Sequence, residues 1–82
     1  MDKKVPHNFK YHAEIMYEGE VAMRFTCACG NTIDELLWDI DYEFDQIGNK
    51  EPKIKQVLKN PNTNQQDITE QIIKEYHSRG SK

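Results

Sequence analysis

The residues able to do chemistry begin with Cys27-Ala28-Cys29. Two thiols spaced two apart on a strand face one side, where they could ligate a soft metal or supply a nucleophile. A tetrahedral zinc site asks for about four donors. A catalytic thiolate asks for a histidine within hydrogen-bond reach and some exposure. The histidines His7, His12 and His77 are scattered, and the alternation described below puts His12 on the opposite face from the thiols. Both cysteines are therefore expected on the core side, packing as small hydrophobes, with no metal and no cofactor. Other catalytic arrangements are thinner. Ser78 and Ser81 lie in the tail, Gly30-Asn31-Thr32 is not a phosphate loop, and Asp39 with Glu43 would sit on a convex helix surface. No enzyme activity is expected.

The stronger signal is a run of acids, Asp34, Glu35, Asp39, Asp41, Glu43 and Asp45, with no base among them between residues 31 and 47. Wound at about 100° per residue, this stretch sets Trp38 and Tyr42 opposite the apolar stripe and i,i+4 to each other, with acids around them. Aromatic anchors ringed by charge have the composition of a binding hot spot, the rings giving contact area and the charges attraction to a basic partner. Another element folding over Trp38, making it ordinary core, is the competing expectation. The one basic cluster is Lys50, Lys53, Lys55 and Lys59, offset by Glu51. It reads either as lysines protecting an edge strand or as a nucleic-acid contact.

These groups need elements to hold them. Phe9, Tyr11, Ala13, Ile15 and Tyr17 alternate with polar residues, as do Val21, Met23, Phe25, Cys27 and Cys29, so two strands joined at Glu18-Gly19 are predicted. A three-residue loop Tyr17-Glu18-Gly19, with Gly19 left-handed, would pair Ile15 with Val21, Ala13 with Met23 and Tyr11 with Phe25. Thr32 and Glu35 have the spacing of a capping box. They open a helix whose stripe is Ile33, Leu36, Leu37, Ile40, Phe44 and Ile47, stopped at Gly48-Asn49. Ile54 to Lys59 is a third strand, residues 60–66 a polar loop, and Asp67 to Arg79 a second helix with Ile68, Ile72, Ile73 and Tyr76 as its apolar side. The order is ββαβα. The fold class is α+β, a small antiparallel sheet (a hairpin plus a third strand) with two helices on one face.

The chain has 82 residues, which bounds it to one small domain over 1–82 with a flexible arm at 1–7 and a flexible tail at 80–82. A domain of this size buries only about 60% of its unfolded surface, so association with itself or a partner is expected. Net charge is -3 and the isoelectric point near 5.5, which disfavours a general nucleic-acid binder. Mean hydropathy is -0.90, and no run approaches the roughly 20 apolar residues of a membrane span or the core of a signal peptide. With two cysteines too close for an ordinary disulfide, a secreted disulfide scaffold is excluded and the cytoplasm is the expected compartment.

Two strands followed by Gly30-x-Thr32-x-x-Glu35-Leu36 resemble the N-terminal part of HicB-type antitoxins, over about residues 9–47. The Pro-Asp turn of that family is absent between Phe25 and Gly30, and no separate DNA-binding domain follows. Gly30-Asn31-Thr32-Ile33-Asp34-Glu35 also resembles the helix start of small acidic phage inhibitors of uracil-DNA glycosylase, which are dimeric and occupy the DNA-binding site of their enzyme. Both resemblances imply a short protein that binds and blocks another, of phage or mobile-element origin.

The expectation is a non-enzymatic protein-binding module, an inhibitor or DNA mimic. It would act through Trp38 and Tyr42 with Asp34, Glu35, Asp39, Asp41 and Asp45 on a basic partner such as a nucleic-acid-binding protein. A homodimer through the same face and a nucleic-acid-binding module using the Lys50–Lys59 edge are the alternatives.

Overall fold

The computed structural model describes residues 9–79, so the expected arm and tail lie outside the described residues. The elements are β1 (Tyr11–Glu18), β2 (Met23–Gly30), α1 (Ile33–Ile47), β3 (Lys53–Lys59), β4 (Gln66–Asp67) and α2 (Thr69–Arg79). Four antiparallel strands form one sheet in the order β2-β1-β3-β4, and the two helices cover one of its faces. The α+β class and the ββαβα order hold, with one addition. The polar loop ends in β4, a two-residue strand whose Gln66 and Asp67 pair with Lys59 and Leu58.

The hairpin differs from the expected one. Its turn spans Gly19 to Ala22, closed by the Gly19 amide donating to the Ala22 carbonyl at 3.0 Å, and Glu18 pairs with Met23. Ala13 therefore faces Ala28 and Ile15 faces Thr26, rather than Met23 and Val21. A four-residue loop in place of a three-residue one inverts the parity of the second strand. β2 turns Ala28 and Gly30 to the helices and sends Met23, Phe25, Cys27 and Cys29 to the open face. The physical reason is the closeness of α1. A Cβ on Gly30 would stand 2.6 Å from the Leu36 amide nitrogen, so no side chain fits on the covered side at that end of β2. Gly48, not Gly19, is the glycine with positive φ, at 75°.

The first helix forms for the reasons its sequence gives. Thr32 Oγ1 accepts from the Glu35 amide at 3.1 Å, while the Glu35 carboxylate reaches one residue further back than a capping box requires and accepts from the Asn31 amide at 2.9 Å. Gly48 ends the helix with its amide donating to the Phe44 carbonyl at 3.0 Å. Leu36, Leu37 and Ile40 enter the core beside Ala13, Ile15, Ala28, Val57 and Ile72, with Phe44, Ile33, Ile47 and Tyr76 packed around them. Each fully buried Leu, Ile or Val contributes about 1.5–3 kcal/mol of transfer free energy.

The second helix is stitched to β3. Thr69 Oγ1 accepts from the Val57 amide at 2.9 Å and donates to Asp67 Oδ1 at 2.6 Å, and the Ile68 amide donates to the Val57 carbonyl at 2.9 Å. Two hydrogen bonds from Thr69 keep the Asp67 carboxyl below the usual range.

Candidate functional site

On α1 the helical wheel behaves as the spacing predicts. Trp38 is 69% exposed and Tyr42 47%, and their rings stack with centroids 5.7 Å apart and planes 8° from parallel. Among the described residues no element covers them. The second helix does not fold over Trp38, and the N-terminal arm, the other element that could make it core, lies outside the described residues.

The surrounding acids divide by flank. Toward α2, Asp34 pairs with Arg79, which also holds Glu75 at 3.3 Å, and Asp41 accepts from the Tyr76 hydroxyl at 3.0 Å. Burial, and then the bond to Asp41, pushes the Tyr76 phenol up to about 12. Toward the sheet, Asp39 accepts from the Cys29 backbone amide at 3.0 Å. Glu35 closes the N-terminus of the helix. Asp34, Glu35, Asp39 and Asp41 therefore fasten α1 to its neighbours as well as charging its surface. Asp45 stands in the last turn, where no basic residue answers the helix dipole.

The open face of the sheet carries a second group that the sequence reading missed. Cys27 is exposed and Cys29 partly so, which corrects the expectation that both thiols are core. His12 lies directly across from Cys29 in the β1–β2 register, on the same face as both thiols rather than the opposite one. The ligand-capable atoms of His12, Cys27 and Cys29 all lie within 4.8 Å of one another. A hydrogen bond from Cys29, with a second from His12, brings the Cys27 thiol down to about 4. Cys29, donating to that sulfur and partly buried, is pushed up. Burial raises the Glu43 carboxyl, helped by the nearby charges of Asp39 and Cys27. The signal that could have revealed the cluster is parity, because an even-length turn puts His12, Cys27 and Cys29 on one face.

The same face is apolar beyond the thiols. Phe25 is 52% and Met23 46% exposed, with Lys55 Nζ 5.9 Å from the Phe25 ring centroid and 3.8 Å from the Glu14 carboxylate. The lysines do not form one strip. A bulge opposite Glu14 and Ile15 makes Lys55 the extra residue of β3, so Lys53 and Lys55 share the open face while Lys59, paired with Tyr11, falls on the helix side.

Compared with known protein families, with characterised proteins and with solved structures, the chain has no match. Among the described residues no helix is long and apolar enough to cross a membrane.

Proposed function

We propose that the protein is a cytoplasmic, non-enzymatic binding module, of phage or mobile-element origin, that blocks a basic protein through the outer face of α1. The observation that carries this reading is the Trp38–Tyr42 stack standing in solvent. A large aromatic pair left open gives up transfer free energy that burial would recover, and Trp and Tyr dominate the binding energy of measured interfaces. Charge selects the partner. Asp34, Glu35, Asp39, Asp41 and Asp45 surround the rings, and clustered carboxylates imitate the phosphates that a nucleic-acid-binding protein is built to receive. Two copies meeting through this face would set acids against acids, so a heterologous basic partner is favoured over a homodimer.

The test is capture of proteins from a cytosolic extract on the immobilised wild type, on Trp38→Ala and on Lys53→Ala/Lys55→Ala. Basic proteins retained by the wild type should be lost by Trp38→Ala, with affinity at least about 30-fold weaker, the equivalent of a 2 kcal/mol hot spot. Equal retention by Trp38→Ala would sink the reading. Salt-sensitive oligonucleotide binding that is lost in the lysine variant would replace it with the nucleic-acid alternative.

A further inference from the structure

We propose that His12, Cys27 and Cys29 form a binding site for one zinc ion on the open face of the sheet, with a fourth coordination position open to solvent. Three donors of the right chemistry converge from two adjacent strands, with every pair of ligand atoms within 4.8 Å. Tetrahedral zinc, with bonds of about 2.3 Å to sulfur and 2.0–2.1 Å to nitrogen, needs donors about 3.5–3.8 Å apart. The remaining gap is at most about 1 Å, within reach of small χ1 adjustments.

The frame that holds these donors is rigid. β1 is hydrogen-bonded on both sides, by β2 and β3, which fixes His12, and the register sets Cys29 directly across from it. Cys27 follows two residues earlier on the same face. Cys29 is pinned further, since its backbone amide is held by Asp39 from α1. That carboxylate also adds negative charge beside an incoming cation.

Donor identity decides the metal. Two thiolates and an imidazole suit zinc and exclude magnesium or calcium, which take oxygen. Both sulfurs coordinate as thiolates, the proton still held between them passing to solvent, so two thiolates and one dication leave the site neutral, with imidazole as the third ligand. Three protein ligands with an open fourth place is the arrangement of zinc sites that take up water or an exogenous donor.

The site is tested on the full reduced chain, stripped of metal, by titration with Co(II) as a spectroscopic stand-in for zinc. The expected result is one thiolate-to-cobalt charge-transfer band and tetrahedral d–d bands saturating at one ion per chain, abolished by added zinc. Native mass spectrometry should then give one zinc per chain. Cys27→Ser, Cys29→Ser and His12→Ala should each weaken zinc by more than the roughly 10–100-fold that loss of an outer-shell partner costs, with the far-UV circular dichroism unchanged. Because His12→Ala leaves both thiols in place, it tests the site even if a cysteine variant unfolds. The proposal is overturned if reduced wild type gives no thiolate–cobalt band, or if His12→Ala binds zinc like wild type. One zinc per two chains would overturn the open position, and copper(I) bound where zinc fails to displace cobalt would overturn the choice of metal.

Discussion

Cys27 shows how much one side chain's environment can depart from its type. Donation from Cys29 and His12 stabilises its anion and lowers its pKa from 9.0 to about 4, so at pH 6 it is a thiolate while Cys29 is still a thiol. In the metal-free chain, iodoacetamide at pH 6 should therefore alkylate Cys27 ahead of Cys29, as read by peptide mass spectrometry, and His12→Ala should slow that reaction. The same shift sets a pH dependence of stability. Between about 4 and 9.0 the unfolded chain holds a proton on Cys27 that the folded chain has released. Stability should thus rise with pH across that window and be lost as pH falls through about 4. The urea midpoint should increase from pH 5 to pH 8 by more in the wild type than in Cys27→Ser. None of this was legible from residue types alone. The Cys-x-Cys spacing gave a shared face, but which face depended on the parity of a turn four residues long, and the large residues of β2 pointed the wrong way because the open face is itself apolar.

At the scale of elements, α1 was legible almost completely because its determinants are local. The cap at Thr32, the stripe from Ile33 to Ile47 and the stop at Gly48 are all decided within a few residues of each other. The aromatic pair at i,i+4 followed from the same periodicity. What the wheel could not supply was the bonding of the acids, since Arg79, Tyr76 and the Cys29 amide reach Asp34, Asp41 and Asp39 only through tertiary contact. Asp45 is the exception, an acid placed against the negative end of the dipole. Asp45→Asn should stabilise the fold by about 0.3–1 kcal/mol, seen as a higher melting temperature, while weakening capture of the basic partner. A gain in stability without a loss in binding would remove Asp45 from the interface.

For the whole molecule, the covered side of the sheet is the only place where apolar side chains are fully buried among the described residues, and the body is a slab of 34 × 34 × 18 Å. At about 0.05–0.15 kcal/mol per residue, 82 residues give a stability of roughly 4–12 kcal/mol. Ile72 is the one fully buried side chain of α2. Ile72→Ala should cost about 2–5 kcal/mol in a denaturant titration, a large part of that total, whereas Trp38→Ala should change it little. The contrast separates the residues that make the fold from those that face outward. The sheet's outermost strand adds a last point. Asp39, by taking the amide that β2 presents at Cys29, puts a negative charge where a neighbouring chain would otherwise dock its backbone. At that position the carboxylate occupies the donor that an added strand would need and sets a charge against its carbonyl, an obstacle to edge-to-edge pairing.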